Sequence, residues 1–201
     1  MTNPASGLRE RKKARTRASL REHALRLFRE QGYAATTVEQ IAAAAEVSPS
    51  TFFRYFPTKE DVVLQDDMDT RMLEALDRQP PEMHPIAAIR AASKDALASF
   101  SPEELETMRV STELTLTVPE VRARAMDEFA RTIDLMGEAI ARRAGRSGRD
   151  MNARVLAGAV IGVVMSVTMP WSQFAVGEGD VRDMFDRIDK GLALLESGLP
   201  L

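Results

Sequence analysis

Residues 36–56 read TTVEQIAAAAEVSPSTFFRYF, and this stretch decides the fold of the N-terminal part of the chain. Thr36 and Thr37 offer side-chain hydroxyls at the point where a helix would begin. Glu39 or Gln40 follows three residues later, which is the spacing of a capping box. The apolar residues behind this cap recur at helical spacing. The sequence therefore predicts a short helix with one narrow apolar face.

A second helix is predicted directly after the first. Ser48 can cap it through its side-chain oxygen, and Pro49 suits the first helical position, where its missing N–H costs little. Phe52 and Phe56 lie four residues apart and can pack back on the first helix, so we expect both in the core. A two-helix unit of this kind places its second helix in the major groove of DNA, with its N-terminal residues near the base edges. The pattern thus indicates a helix-turn-helix that reads DNA.

The distribution of charge agrees with this interpretation. Residues 1–60 carry eleven Lys and Arg side chains against six Glu, a balance of +5; the whole chain carries −3, so the remainder carries −8. A basic segment, RERKKARTR, occupies residues 9–17. Such a segment can neutralise DNA phosphates and release counterions, which adds affinity independent of base sequence. By charge alone a solvated helix face is an equal alternative, and the neighbouring helix-turn-helix favours DNA.

The segment from Leu8 to about Asp67 resembles the DNA-binding domain of TetR-family transcriptional regulators. The resemblance rests on ALRLFREQGYAATTVEQIAAAAEVSPSTFFRYFPTKEDVV, where many spacings agree at once. In this family the residue at position 53 is usually a Tyr whose hydroxyl binds a phosphate. This chain has Phe53 there, so Tyr55 is expected either to supply that donor or to read a base edge. The chain departs from the family at Glu46 (usually Gly), Ser50 (Gly or Ala), Phe53 (Tyr) and Tyr55 (often His).

The resemblance implies which side chains meet the DNA. Thr37 and Lys59, each at the start of a helix, would bind phosphates on either side of the groove, because helix N-termini present free N–H groups. Arg54 would serve a phosphate or a guanine edge, with which Arg pairs through two hydrogen bonds. The basic segment would track the backbone or enter a minor groove. The predicted contacts are Arg15, Arg17, Thr36, Thr37, Ser48, Pro49, Ser50, Thr51, Arg54, Tyr55 and Lys59.

The remaining chain predicts helices throughout, without a convincing strand pattern. Expected helices cover residues 59–78, 86–100, 102–118, 119–144, 150–175 and 180–196, and Pro170 should bend the end of the fifth of these. The predicted fold class is all-α: a three-helix N-terminal DNA-binding domain followed by a helical-bundle domain for ligand binding and dimerisation. We expect a flexible N-terminus at 1–8, the DNA-binding domain at 9–57 (about 9–70 with a connecting helix) and the C-terminal domain at 71–201.

The composition disfavours several other classes of protein. There is no cysteine, and hence no disulfide framework, thiolate metal site or cysteine nucleophile. No apolar signal core precedes the N-terminal charges, so we expect a cytoplasmic protein. The apolar run 155–171 is at the lower limit for a membrane span and is interrupted by Gly, Ser and Thr, which favours a helix buried in protein over a membrane helix. Recognisable catalytic motifs are absent from the sequence, so an enzyme is the disfavoured alternative, and neither metal nor cofactor is expected.

The last two predicted helices, within residues 150–196, are the candidates for dimerisation. A helix that is apolar nearly all round must be covered on both sides, and Gly158 and Gly162 permit a neighbouring helix to approach closely. Two recognition helices about one DNA turn apart also need a two-fold axis between them, which favours a homodimer. The alternative is that both helices only complete the core of a monomer.

The methionine-rich C-terminal helices predict a ligand pocket, because Met side chains adapt to varied apolar ligands; core filling is the ordinary role of any single Met. The AEVSPSTFFRYF and TKEDVVL segments resemble a TetR subgroup with an acyl-CoA-like ligand-binding domain, which implies a fatty acyl-CoA as effector. The expected function is a repressor that binds a palindromic operator and is released by such a ligand; the alternative is constitutive DNA binding without a ligand. The predicted pocket residues are Met108, Met126, Phe129, Met136, Met165, Met169, Trp171 and Phe174.

Overall fold

The computed structural model describes residues 4–64, 67–147, 149–169 and 180–199. Every regular element in these ranges is an α-helix, which confirms the all-α fold class. The helices are α1 (Pro4–Gln31), α2 (Val38–Ala44), α3 (Pro49–Tyr55), α4 (Asp61–Leu64), α5 (Met68–Arg78), α6 (Pro85–Ala98), α7 (Pro102–Thr117), α8 (Pro119–Arg143), α9 (Met151–Thr168) and α10 (Val181–Glu196).

Proline and small polar caps start most helices where the sequence predicts them. Helices α7 and α8 begin at Pro102 and Pro119, because a proline in the first turn gives up no helical hydrogen bond. Helix α1 begins at Pro4, so residues 4–8 of the segment expected to be flexible are helical: proline suits that first position, and the Lys, Arg and Ala residues behind it are strong helix formers. In place of the single predicted helix 59–78, the structure has the separate helices α4 and α5, and α5 has its own N-cap at Asp67. Residues 65 and 66 lie outside the described ranges. The predicted bend at Pro170 also lies outside them.

The chain forms two compact units. The first comprises Met1–Gln65 and Val110–Arg124, and the second comprises Asp66–Arg109 and Ala125–Leu201. The stretch 36–56 therefore lies in the first unit, which also takes in the end of α7 and the start of α8. All the predicted pocket residues belong to the second unit.

The core of the first unit is built from large apolar side chains of α1, α2 and α3. Leu20 of α1, Ile41 of α2 and Phe52 of α3 are all fully buried. Phe56, directly after α3, is also fully buried, and its ring centroid lies 5.8 Å from that of Phe52. The prediction that both phenylalanines pack inward is confirmed, and their burial leaves the opposite face of α3 to the polar residues.

The core of the second unit is formed by α5, α6, α8, α9 and α10, and it is rich in alanine. Helices α9 and α10 approach closely at Gly191, where a Cβ atom would lie only 2.5 Å from Val163 Cγ1. Arg90 of α6 forms an ion pair with each of two carboxylates on α10, through Nε to Asp189 Oδ1 at 2.8 Å and Nη1 to Glu196 Oε2 at 2.7 Å. These contacts hold α6, α9 and α10 together.

One face of α9 is apolar and uncovered. By length and composition α9 could cross a membrane, but core helices of soluble proteins share that length and composition. Within the protein 28% of this helix is buried. The side chains of Met151 and Val155 are 72% and 62% exposed. A Cβ atom added to Gly158 or Gly162 would meet nothing within 4 Å among the described atoms. On neighbouring α10, Leu194 is 54% exposed.

Candidate nucleic-acid interface

Helix α2 starts at the predicted capping box. Thr37 Oγ1 accepts a hydrogen bond from the Gln40 backbone N–H at 3.2 Å, and Gln40 Oε1 accepts one from the Thr37 backbone N–H at 2.9 Å. Two backbone donors that α2 itself cannot satisfy are thereby bonded. Thr37 remains exposed and stays a predicted phosphate contact.

Thr36 has a different role from the one predicted for it. Its side chain is 1% exposed, and its Oγ1 donates to the Gly32 carbonyl oxygen at 2.8 Å while accepting from Gln31 Nε2 at 3.1 Å. A buried hydroxyl with both functions used cannot reach a phosphate, so Thr36 is removed from the predicted DNA contacts. It closes the turn between α1 and α2, which Gly32 enters with a φ of +86° that glycine adopts without strain.

The turn between α2 and α3 passes through Glu46 in a left-handed conformation, with a φ of +55°. The Val47 N–H donates to the Ala42 carbonyl at 2.9 Å and the Glu46 N–H to the Ala43 carbonyl at 3.1 Å. This pair of bonds is the Schellman motif, which usually has glycine at the left-handed position. The departure at Glu46 noted in the sequence therefore falls where a side chain is strained.

Replacing Glu46 with glycine should stabilise the protein. The left-handed conformation costs a residue with a Cβ about 1–2 kcal/mol, and glycine avoids this cost. Glycine in turn loses roughly 0.5–1 kcal/mol of stability, because its unfolded chain has greater conformational freedom. We expect a gain of about 0.5–1 kcal/mol in the free energy of unfolding, measured in urea. Glu39→Gly, inside α2, is the matched control and should destabilise by about 1 kcal/mol. Equal losses for the two variants would contradict the argument.

Helix α3 begins with a cluster of hydroxyl groups. Ser48 caps it by accepting from the Thr51 backbone N–H at 3.2 Å, and Pro49 occupies the first helical position, both as predicted. The Ser48 Oγ also lies 2.9 Å from Ser50 Oγ and 3.0 Å from Thr51 Oγ1. Ser48, Pro49 and Ser50 are exposed and Thr51 is half-buried. The start of α3 therefore presents small polar groups to the solvent.

The rest of the outer face of α3 mixes a cation with aromatic rings. Arg54 is exposed, and its guanidinium carbon lies 5.3 Å from the ring centroid of half-buried Tyr55. Phe53 is 52% exposed, and its ring meets that of buried Phe52 edge-on, with centroids 5.4 Å apart. Ser48, Pro49, Ser50 and Arg54 are thus exposed as predicted contacts require, Thr51 and Tyr55 are half-buried, and Phe53 is a further exposed side chain.

Lys59 is bonded within the protein. Its Nζ donates to the Tyr33 carbonyl oxygen at 2.9 Å and to the Thr36 carbonyl oxygen at 3.0 Å, and it lies 4.0 Å from the Tyr33 ring centroid. The Tyr33 hydroxyl donates to Glu60. Burial raises the pKa of the Tyr33 phenol, and this bond raises it further. Burial also acts to raise the pKa of Glu60, but hydrogen bonds, that of Tyr33 foremost, outweigh it and lower the pKa. The two carbonyl bonds of Lys59 fix the turn before α2, and the third N–H of its ammonium group is left for the predicted phosphate contact.

A buried ion pair involves Asp61, two residues after Lys59. Asp61 is fully buried, and its Oδ1 accepts from Arg124 Nε of α8 at 2.9 Å. Its Oδ2 accepts from the Thr58 backbone N–H at 2.9 Å. Asp61, Arg124 and Tyr33 hold the loop that carries Lys59, and none was predicted as a site residue. The only sequence feature that pointed to a buried Asp61 was its place beside the apolar Val62 and Val63.

The basic segment 9–17 is part of α1 and not an extended arm. Arg15 is exposed, and Arg17 is half-buried with its guanidinium carbon 5.5 Å from the ring centroid of Phe56. The helix places Arg17 beside the end of α3, and contact of this segment with the DNA backbone stays a prediction. Because the segment is helical, contact with phosphates is favoured over entry of an extended strand into a minor groove.

The predicted pocket residues are only partly brought together. Phe129, Met136 and Met165 belong to the hydrophobic cluster of the second unit. Met108 and Met169 are buried and Met126 is half-buried, but none of these three is part of that cluster. The last two predicted pocket residues, Trp171 and Phe174, lie outside the described residues.

Comparison with known families covers both units. Residues 20–65 match the family model of bacterial regulatory proteins of the tetR family, and residues 83–200 match that of the MftR C-terminal domain. The transcriptional regulator TcmR of Streptomyces glaucescens is 47% identical over 102 residues, which are 50% of this chain and 45% of TcmR. MftR of Mycobacterium tuberculosis, named for mycofactocin biosynthesis, is 27% identical over 164 residues, which are 80% of this chain and 82% of MftR.

Solved structures agree with these matches. FadR of Thermus thermophilus, a TetR-family transcriptional repressor crystallised with lauroyl-CoA, superposes with a TM-score of 0.54 and 26% identity, covering 92% of this chain and 95% of FadR. A TetR-family regulator from Mesorhizobium loti superposes with a TM-score of 0.52 at 19% identity, covering 92% of this chain and 96% of its own, and supports the fold. The relatives are transcriptional regulators and not enzymes. This chain belongs to the TetR family of DNA-binding transcriptional regulators, with a C-terminal domain of the MftR type.

Proposed function

We propose that this regulator is a cytoplasmic repressor that binds a palindromic operator as a homodimer and is released by a small apolar or amphipathic ligand. One observation carries the DNA-binding part. Helix α3 turns Ser50 and Arg54 to the solvent while Phe52 and Phe56 are fully buried, so its polar face is free to enter a groove. The basic α1 beside it supplies cations for the phosphates.

The proposed contacts divide into base readers and phosphate binders. Thr37 and Lys59 flank the groove as phosphate contacts, and Lys59 uses the one N–H left after its two carbonyl bonds. Arg15 and Arg17 of α1 extend the phosphate contacts. The groove-facing set on α3 and its cap is Ser48, Pro49, Ser50, Thr51, Arg54 and Tyr55.

Replacing Arg54 with alanine should lower operator affinity by about 1–3 kcal/mol, the usual value of one arginine–guanine contact. The affinity would be measured by fluorescence anisotropy, at fixed salt, on the duplex that the wild-type protein retains from a random pool. Arg78→Ala, an exposed arginine of α5, is the matched control and should change little. Equal affinities of the two variants for the retained duplex would contradict the proposed role of α3.

The dimer part of the proposal is supported by the uncovered apolar face of α9 and α10. Met151, Val155 and Leu194 are more than half exposed on these two helices, and Gly158 and Gly162 leave room for a helix to approach. Exposed apolar side chains on neighbouring helices are a common feature of interfaces. A two-fold axis through it would pair two α3 helices on a palindrome. We therefore place the interface within residues 150–196.

The ligand part of the proposal is supported by the second unit and by FadR. Phe129, Met136 and Met165 come from α8 and α9 and share one apolar cluster. FadR, which this chain resembles at 26% identity over 92% of its length, was crystallised with lauroyl-CoA. We propose a long-chain acyl-CoA as the effector, with its acyl chain among these side chains.

Lauroyl-CoA should raise the melting temperature of the protein and release it from its operator. A ligand at a hundred times its Kd stabilises the folded state by about 2.7 kcal/mol. Differential scanning calorimetry and anisotropy on the retained duplex would measure the two effects, with free CoA and acetyl-CoA as controls that lack the long chain. If lauroyl-CoA changes neither the melting temperature nor the operator affinity beyond these controls, the proposed effector class is wrong and constitutive DNA binding is favoured.

A further inference from the structure

Phe53 is an unusual side chain for a surface that meets DNA phosphates. It is 52% exposed, and it is the one large apolar side chain of the first unit, among residues whose side chains are described, that is more than half exposed. A phenyl ring has no donor for a phosphate oxygen. Its position on α3 therefore calls for an apolar partner.

The ring is held in place and has an apolar neighbour. It meets the buried Phe52 ring edge-on at 86°, with centroids 5.4 Å apart, so its orientation is tied to the core of the unit. Pro49 lies four residues earlier on the same exposed side of α3. Together Pro49 and Phe53 form an apolar strip beside the polar residues Ser50 and Arg54.

We infer that Phe53 is a specificity-determining residue that packs against the 5-methyl group of a thymine in each operator half-site, an inference that rests on the proposed binding of α3 in the major groove. The thymine methyl is the apolar group that base pairs present on their major-groove edges, and phenylalanine is among the side chains that contact it. The cations near α3, exposed Arg54 and Arg17 beside Phe56, favour DNA over another apolar partner.

Deoxyuridine differs from thymidine only in this methyl group, so it isolates the contact. The duplex retained by the wild-type protein would be remade with deoxyuridine at one thymine position at a time, and the affinity of each duplex measured by anisotropy. Burying one methyl group contributes about 0.8 kcal/mol, which corresponds to about a fourfold loss of affinity at the contacted position. We expect one such position in each half-site.

Substitutions at position 53 test whether the Phe53 ring is the group that contacts the thymine methyl. Phe53→Ala should bind the thymine and deoxyuridine duplexes equally, while Phe53→Leu should keep part of the preference. Both substitutions are at an exposed position, and circular dichroism would confirm that each variant is folded. A wild-type protein with no sensitive thymine would overturn the inference, as would a sensitivity that Phe53→Ala leaves unchanged; in both cases operator binding itself stands. A wild-type protein that retains no duplex at all would instead overturn the proposed function, and this inference with it.

Discussion

Asp61→Asn is expected to lower the free energy of unfolding by about 3 kcal/mol. Asparagine keeps the shape of the side chain but removes the charge that Arg124 faces at 2.9 Å in a fully buried position. Removing the charge of one partner of a buried ion pair costs about 3–5 kcal/mol, because the desolvated partner loses its counter-charge. The Arg124 side chain is 29% exposed, so water offsets part of this cost and the lower end of the range applies. Urea unfolding followed by circular dichroism would measure the change.

The matched control for Asp61→Asn is Glu30→Gln. Glu30 pairs with Arg26 at 2.9 Å, but the two side chains are 55% and 43% exposed. An exposed pair within one helix contributes only about 0.3–0.5 kcal/mol. If Asp61→Asn costs no more than Glu30→Gln, then the buried pair does not hold the loop that carries Lys59.

The double variant Val155→Lys with Leu194→Lys is expected to turn the proposed dimer into a monomer. Val155 is 62% exposed and Leu194 54% exposed in the single chain, so lysine is tolerated there before association. In an interface each lysine would be an unpaired charge, and one such charge costs about 3–5 kcal/mol. A rise of at least about a thousandfold in the dimer Kd follows. Sedimentation velocity at micromolar concentration would measure it.

Operator binding should fall together with the dimer, because a monomer reads one half-site only. Glu74→Lys adds the same charged side chain at an exposed position of α5 and is the control for both measurements. A double variant that sediments as a dimer, like Glu74→Lys, would show that the exposed face of α9 and α10 is not the interface. A wild-type protein that is already monomeric would contradict the proposed homodimer.

Local signals in the sequence predicted the helix starts well. The threonine–glutamine box before α2, the serine cap and proline of α3, and the prolines that open α7 and α8 each act within one helical turn. Such signals can be read from neighbouring residues alone. The burial of Phe52 and Phe56 was also predictable, because their spacing of four places both on one face.

Contacts between residues distant in the chain could not be predicted in the same way. Thr36 and Thr37 are adjacent and alike, and only the path of the turn decides that Thr36 is buried while Thr37 caps α2. Asp61 and Arg124 are 63 positions apart, and the sequence around each residue does not indicate that the two form a pair. The two carbonyl acceptors of Lys59 likewise depend on how the turn folds.

The close approach of α9 and α10 at Gly191 has an evolutionary consequence. The space that a Cβ would need there is already occupied by Val163 Cγ1, at 2.5 Å. Well-packed cores tolerate exchanges that conserve total volume far better than single enlargements. Related regulators that carry alanine at the position of Gly191 are therefore expected to carry a smaller residue at that of Val163, so that the two positions vary as a pair.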